Sequence, residues 1–138
     1  MEWNTSNNNK KKMIVINGGH FFNLTGFYEE VSRVLMKNQD WKVGTLDGFN
    51  DILHGGFGVF ENHEEIEIIW KESQKSKEDL GFKTTKEFYE NKIKQGKPFN
   101  IDFAQQKLND LIDGKGQTLF EILLEIIESH ENIRLILK

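Results

Sequence analysis

Cysteine is absent from this 138-residue sequence, and neither a long apolar run nor a dominant basic segment is present. The absence of cysteine excludes a disulfide framework and thiolate metal sites, and it fits a reducing compartment. No stretch approaches the roughly 18 apolar residues that a membrane-spanning helix requires, so we expect no membrane contact. The lysines at positions 10 to 12 are not followed by an apolar stretch long enough to be the h-region of a signal peptide, which argues against one. Together these absences predict a soluble, cytoplasmic protein.

An excess of basic over acidic residues is also absent from the body of the chain. The formal net charge is -4, and residues 1–12 alone carry three lysines against Glu2, so residues 13–138 sum to -6. An acidic body argues against a nucleic-acid partner, because such a partner would require a basic surface. The charge favours a basic protein as the partner.

The composition is that of a folded domain. Hydrophobic residues make up 37% of the chain and charged residues 29%, which is typical of a globular protein rather than a disordered one. Residues 1–12 are polar and lack hydrophobic periodicity, so we interpret them as a disordered tail. The remaining length, residues 13–138, is that of one domain.

Three short apolar segments predict β-strands. Met13–Ile16 is a continuous apolar run that ends at Asn17-Gly18, Glu65–Trp70 is rich in isoleucine, and Ile133–Leu137 lies at the C-terminus. Helical patterns separate the three runs. Strands that alternate with helices predict a small α/β domain with a three-stranded parallel sheet and right-handed crossovers.

Polar residues that precede apolar periodicity predict where the helices begin. Three threonines and one asparagine are the expected N-caps of four helices: Thr25 for a helix to Leu35, Thr45 for Leu46 to His54, Thr84 for a helix to Gln95, and Asn100 for a helix to Ile112. A fifth N-cap, Thr118, is expected to form a capping box with Glu121 at the start of a helix from Leu119 to Ser129. The third and fourth of these helices lie within residues 81–115. They predict a helical pair inserted into the sheet domain.

The predicted helix from Leu46 to His54 has two distinct faces, at about 100° per residue. Its apolar face consists of Leu46, Phe49, Ile52 and Leu53, and its polar face of Asp47, Asn50, Asp51 and His54. The two aspartates repel each other by a few tenths of a kcal/mol, and only Asp47 lies where the helix dipole compensates. The polar face is either a solvated surface or an acidic surface that a cationic partner binds.

Gly48 and Trp41 also bear on whether this helix forms an interface. Gly48 lies inside the helix, where glycine costs about 1 kcal/mol relative to alanine, so another group is expected to approach its backbone closely. That group is either a neighbouring helix or a side chain of a partner. Trp41 precedes the helix and is either a core anchor or an aromatic contact at an interface.

Catalysis and metal binding receive little support from the sequence. Asp51 and His54 share a helix face and could act as an acid/base pair, but no nucleophile is evident beside them. The four histidines share no HxxxH or HExxH spacing. We therefore expect a protein that is not an enzyme and holds no metal or cofactor, and a catalytic pair of Asp51 and His54 is kept as an alternative.

Several of these strings, in their order and spacing, resemble the barstar family of small intracellular inhibitors of barnase-type ribonucleases. The residues that carry the resemblance are Ile16-Asn17-Gly18, Leu46-Asp47 with Asp51, Trp70 followed by Gln74-Lys75-Ser76-Lys77, and the terminal helix with Ile133–Leu137. The resemblance covers most of residues 13–80 and 116–138. It implies a barstar-like fold in which the second helix and the loop before it occlude the active site of a ribonuclease.

The resemblance also implies which residues bind the partner. Family acidic contacts correspond to Asp47, Asp51 and Glu125, a loop aromatic corresponds to Trp41, and a polar position at the start of the helix corresponds to Thr45. With the neighbouring residues of the helix, the expected partner-binding surface comprises Trp41, Thr45, Asp47, Gly48, Asn50, Asp51, His54 and Glu125. The expected partner is a basic ribonuclease or related toxin, bound one to one.

The chain also departs from the family pattern. Asn50 stands where the family has an aromatic residue, the loop around Val43-Gly44 differs, and residues 81–115 have no counterpart in small family members. The alternative to an inhibitor is therefore a barstar-fold protein-interaction module with a partner that is not a nuclease.

Overall fold

Three parallel strands form a single sheet. The computed structural model describes residues 12–36, 40–55, 61 and 64–138. The strands are β1, Lys12–Asn17, β2, Ile66–Lys71, and β3, Ile133–Leu137, in the spatial order β1-β2-β3. In the central register Ile14 pairs with Ile68, which pairs with Leu135. The predicted α/β class and three-stranded parallel sheet are confirmed.

Within the described ranges, six α-helices connect and flank the strands. They are α1, Leu24–Leu35, α2, Leu46–Leu53, α3, Ser73–Asp79, α4, Phe82–Gln95, α5, Ile101–Ile112, and α6, Leu119–Glu128. Within the described ranges, none of these helices has the length and apolar character needed to cross a membrane. The predicted tail lies outside the described residues except for Lys12, which begins β1.

Three of the predicted N-caps are confirmed. The Thr45 hydroxyl accepts a hydrogen bond from the Gly48 N–H at 2.8 Å, and the Asn100 side chain caps α5 in the same way. Thr118 and Glu121 form the reciprocal capping box at the start of α6. These three caps could be predicted from the sequence because the hydrogen bonds of an N-cap join residues within one helical turn.

The other two predicted caps are wrong. Helix α1 is capped by Asn23, which accepts from the Gly26 N–H at 2.8 Å, and Thr25 lies inside the helix. Asparagine is at least as good an N-cap as threonine, so the helix begins after Asn23, the earlier of the two residues. Helix α4 begins after Gly81, and the Thr84 hydroxyl donates to a carbonyl at the end of α3 instead.

The core lies on one face of the sheet, against α1, α2 and α6. Trp70 of β2 is fully buried, stacks on Phe27 at 5.3 Å between ring centroids, and donates its indole N–H to the Ser76 hydroxyl at 2.9 Å. Phe49 of α2 contacts the edge of Phe27 at 5.2 Å between centroids. This packing fixes the rotation of α2 about its own axis, so its polar face points away from the sheet.

The predicted helical pair is present as α4 and α5, and it has a small apolar cluster of its own. Tyr89, Ala104 and Leu108 form that cluster. One buried hydroxyl joins the pair to the main domain, because Thr85 in α4 accepts a hydrogen bond from the Leu119 N–H at 2.8 Å. The orientation of the insertion relative to α6 is therefore defined by a specific polar contact.

Candidate protein-binding site

Helix α2 presents two carboxylates on its outer face. Phe49 and Leu53 are fully buried and Ile52 nearly so, whereas Asp47 and Asp51 are exposed. The two-faced helix predicted from periodicity is thus confirmed. Its C-terminus is confirmed as well, because Gly55 follows with φ of 89°, the left-handed conformation that ends helices.

Trp41 lies directly over Gly48. A Cβ built on Gly48 would lie 3.4 Å from Cη2 of Trp41, at ordinary van der Waals contact, and 3.0 Å from Oγ1 of Thr45, which is closer than such contact. The close approach predicted at Gly48 therefore comes from the loop before the helix, and neither a neighbouring helix nor a partner is needed to explain it. Trp41 nevertheless remains 49% exposed. The result is a large aromatic surface fixed beside the start of α2.

Among the described residues, neither carboxylate of α2 has an ionic partner. In the part of the chain that the structure describes, the side chains of Asp47 and Asp51 form no hydrogen bond and no ion pair. Asp47 lies close to Tyr28 of α1: burial raises the pKa of the Tyr28 phenol well above its usual range, and the negative charge of Asp47 raises it further. Two negative charges on one face are thus available to a cationic partner.

Asn50 and His54 contact a residue of their own chain. The Asn50 Oδ1 lies 2.7 Å from Nε2 of His130, and the His54 ring meets the His130 ring edge-on at 4.7 Å between centroids. His130 is 8% exposed. Burial lowers the pKa of its imidazole below the usual range, and the charge of nearby His54 lowers it further. The two α2 residues thus connect this helix to the turn after α6.

In the described residues, the side chains of Asp51 and His54 do not form the acid/base pair considered above. The backbone N–H of His54 donates to the Asp51 carbonyl, but their side chains form no hydrogen bond with each other. The His54 ring packs on His130 instead. The geometry that a general acid or base requires is not formed between these two side chains.

Glu125 lies on the exposed side of α6. Its Oε1 accepts a hydrogen bond from Gln117 at 3.3 Å, and Glu121 and Glu128 lie on the same stripe of the helix. These three carboxylates form an exposed acidic edge of α6. The shallow depression around Glu125 is lined by residues of α6, Gln117 and Ser129, with no α2 residue among the described ones that line it. Its place in the partner-binding surface stays a prediction.

A second polar cluster lies between β1 and α1. The Glu30 carboxylate is buried and accepts hydrogen bonds from the Asn17 N–H at 2.9 Å, from Arg33 at 2.9 Å and from His20 Nδ1 at 3.0 Å. Burial raises the pKa of Glu30, but these hydrogen bonds and the charge of Arg33 outweigh it, so the pKa is lowered overall. The cluster secures the end of β1 to α1 by satisfying a buried charge.

Sequence reasoning missed the residues that reach the site from a distance. His130 lies 80 positions from Asn50, and no periodicity links them. Tyr28 of α1 and the aromatic residues Phe88, Phe99 and Phe103 of the insertion line the same groove as Asp47. Contacts of this kind depend on how helices pack together, which local sequence patterns do not specify.

The chain matches no protein-family model, no curated protein and no solved structure. Across the described ranges, no three histidine, aspartate or glutamate side chains are grouped so that they could hold a metal ion. The geometry of α2 and the sequence resemblance are therefore the observations from which a function can be inferred.

Proposed function

We propose that this protein is a barstar-like inhibitor that binds a basic ribonuclease or a related toxin one to one and occludes its active site. The observation that carries this proposal is the exposed face of α2, where Asp47 and Asp51 have no hydrogen-bonding or ionic partner among the described residues. A ribonuclease cleft is basic because it binds RNA phosphates. Carboxylates on a protruding helix take the positions of those phosphates.

The electrostatics of this face favour binding over a purely structural role. An aspartate pair one turn apart destabilises its own helix slightly, and this repulsion is relieved when a cationic surface approaches. Charges that are free in the unbound protein also attract a basic partner over long distances and accelerate association. Asp51 contributes most to the proposal, because it lies beyond the first turn, where the helix dipole has faded.

Trp41 supplies the apolar part of the proposed interface. Its ring lies over Gly48, so little conformational entropy is lost when a partner covers it. Tryptophan is enriched among the residues that dominate binding energies, in particular when polar groups surround it. Thr45 lies beside this ring and caps the helix.

The test is a panel of barnase-type ribonucleases mixed with the full chain, with RNA cleavage and complex stoichiometry measured. We expect inhibition at a one-to-one ratio by at least one enzyme. In Asp51→Asn the affinity should fall about 30-fold or more, since the loss of one partner of a buried charge pair costs roughly 2 kcal/mol or more. Glu78→Gln removes the same charge from an exposed position on α3 and should leave the affinity unchanged.

Absence of binding to every ribonuclease of the panel would overturn the inhibitor proposal. Equal effects of Asp51→Asn and Glu78→Gln would also contradict it, because net charge rather than the α2 face would then control association.

A second candidate function is a protein-interaction module on the same fold with a basic partner that is not a nuclease. The observation that favours it is the engagement of Asn50 and His54 by His130, which occupies part of the α2 face within the chain. Affinity capture from the source cells at low and high salt separates the two candidates. A salt-sensitive basic protein without nuclease activity would favour the module.

A further inference from the structure

A groove of about 440 Å³ lies at the edge of the sheet and is lined by β1 and α1. We call it the edge groove; the residues that matter for its chemistry are Met13, Val15, Glu30, Arg33, Val34 and Lys71. Among the described residues that line it, none belongs to α2. The edge groove is therefore a different surface from the candidate protein-binding site.

The backbone of β1 is presented along this edge. Among the described residues, β2 is the only strand that pairs with β1. The N–H of Asn17 does not point to β2, because it donates to Oε2 of Glu30 at 2.9 Å. Backbone groups of a strand point alternately to its two edges, so the N–H and C=O groups of Met13 and Val15 point to the same outer edge as the N–H of Asn17. These are the groups with which an added strand would pair.

Apolar side chains accompany this backbone edge. Met13 is 59% exposed and Val15 is 37% exposed, whereas Ile14 between them is buried in the core. Met13 and Val15 thus lie on the sheet face that the core helices do not cover. Alternate side chains of an added strand would lie beside them and would gain cross-strand contacts if they were apolar.

The charge of the edge groove is opposite to that of the chain as a whole. The Arg33 side chain is 59% exposed, and Lys71 is exposed without an ion pair among the described residues. The Glu30 carboxylate is buried and accepts hydrogen bonds from Asn17, Arg33 and His20, so its charge is compensated in place. Residues 13–138 nevertheless sum to -6. The groove therefore combines an available strand edge with exposed cations.

We propose that the edge groove binds an extended segment of a second partner protein, which adds to the sheet beside β1 and carries acidic side chains against Arg33 and Lys71. Backbone hydrogen bonds to Met13 and Val15 supply affinity, as in other complexes formed by strand addition. Carboxylates that pair with the cations supply selectivity. This inference goes beyond the proposed function, because a ribonuclease on α2 leaves the edge groove accessible.

Charge argues against a second copy of this chain as the occupant. Two β1 strands paired edge to edge around a twofold axis would bring the cations of one groove close to those of the other. Cations beside an edge strand are also a common means of preventing such pairing. Residues 1–11 carry Lys10 and Lys11 against Glu2, so the charge of the N-terminal segment does not complement the groove either.

The first experiment uses a synthetic acidic peptide, acetyl-Thr-Val-Glu-Val-Glu-Thr-amide, in which valines and glutamates alternate. The control is the same peptide with lysine in place of both glutamates. Each is titrated into the ¹⁵N-labelled full chain while amide resonances are followed. We expect saturable shifts at Met13 and Val15 with the acidic peptide, slower hydrogen exchange of these two amides, and at least about fivefold weaker binding of the lysine peptide. No saturable shift along β1, or equal affinity for both peptides, would overturn the proposal.

Methylation of the peptide backbone separates strand addition from binding through side chains alone. Only alternate amides of an added strand face β1, and the others face away from it. Methylating both valine nitrogens and methylating both glutamate nitrogens should therefore have unequal effects: one change should abolish binding, and the other should retain most of it. Equal effects of the two methylations would overturn strand addition.

Variants of the full chain locate the charged part of the site. Lys71→Gln should weaken binding of the acidic peptide about two- to fivefold, as expected for the loss of one exposed ion pair. Lys77→Gln is the control, because Lys77 is exposed on α3 and does not line the groove. Asp51→Asn should also leave peptide binding unchanged. Equal losses in Lys71→Gln and Lys77→Gln would assign the effect to net charge and would contradict a site in the groove.

Sedimentation of the full chain alone tests the other occupant. We expect a monomer at the concentration used for the titrations. A dimer that the acidic peptide dissociates would assign the edge of β1 to a second copy of the chain and would overturn the proposal.

Discussion

Trp41 is partly exposed and yet conformationally restricted, and a neighbouring glycine explains how. The indole rests on the backbone of α2 at Gly48, where no side chain competes for the space. The helix accepts a weak helix former at that position, at a cost of about 1 kcal/mol relative to alanine. The benefit is an aromatic contact surface against the same helix as Asp47 and Asp51, which have no ionic partner among the described residues.

Gly48→Ala tests this arrangement directly. The added methyl group would lie 3.0 Å from Oγ1 of Thr45, closer than ordinary van der Waals contact, and 3.4 Å from Cη2 of Trp41, so the Thr45 side chain should shift and the surroundings of the indole should change. We expect a shift of the Trp41 indole N–H resonance in NMR spectra and weaker partner binding. The free energy of unfolding should change by less than about 1 kcal/mol, because gained helix propensity offsets the lost contact.

Gly44→Ala is the matched control, since a Cβ at Gly44 meets nothing within 4 Å. It should leave the Trp41 resonance in place. An unchanged indole resonance in Gly48→Ala would show that the ring does not depend on this glycine.

His130 makes stability depend on pH. Its pKa in the folded protein lies below the ordinary histidine value of 6.5, so the unfolded chain binds a proton more readily. Stability is fully present above about pH 6.5 and declines as the pH falls toward the folded-state pKa, by up to about 1.4 kcal/mol per pH unit. Denaturant unfolding of the wild type and of His130→Gln between pH 8 and 5 measures the difference. Parallel curves for the two proteins would contradict it.

At the scale of elements, α4 and α6 meet through a buried hydroxyl. Thr85 is fully buried, donates to the Gly81 carbonyl at 2.7 Å, and accepts from the Leu119 N–H at 2.8 Å. Leu119 is the first residue of α6, where backbone N–H groups have no partner inside the helix. The insertion therefore supplies a hydrogen bond that the start of α6 would otherwise lack.

Thr85→Val should destabilise the protein by about 1–3 kcal/mol, because it leaves a buried N–H without a partner while the volume stays nearly constant. Thr85→Ser keeps the hydroxyl and should retain most of the stability despite the lost methyl group. Unfolding in urea separates the two variants. Equal destabilisation by valine and serine would assign the effect to packing rather than to the hydrogen bond.

At the scale of the whole molecule, the body of the chain carries a charge of -6 over residues 13–138. A field of this sign attracts a basic protein from beyond contact distance and acts mainly on the association rate. Salt shortens its range, since the Debye length is about 10 Å at 0.1 M ionic strength and about 3 Å at 1 M.

The association rate with the basic partner should therefore fall at least about tenfold between low and high salt, with a much smaller change in the dissociation rate. Stopped-flow mixing at several salt concentrations measures both rates. Asp51→Asn should make the association rate less sensitive to salt. A rate independent of salt would contradict electrostatic attraction as the basis of the encounter.

Local patterns in the sequence determined the elements of this fold. The three strands, the polar face of α2 and the caps at Thr45, Asn100 and Thr118 were all predictable, because each depends on residues within one or two turns or on strict periodicity. Two predicted caps, Thr25 and Thr84, were wrong because the helix begins after another residue close by, Asn23 or Gly81. Neighbouring cap signals differ by too little energy for local pattern alone to rank them.

Only the tertiary structure decided which polar residues of the site remain free. Asn50, Asp51 and His54 look equivalent on the helix face, but His130 contacts the first and the last, and Asp51 has no partner among the described residues. The structure likewise decided that residues of the insertion and of α2 line one groove. The physical reason is that side-chain contacts between distant segments depend on how the helices pack on the sheet, and that packing is a property of the whole chain.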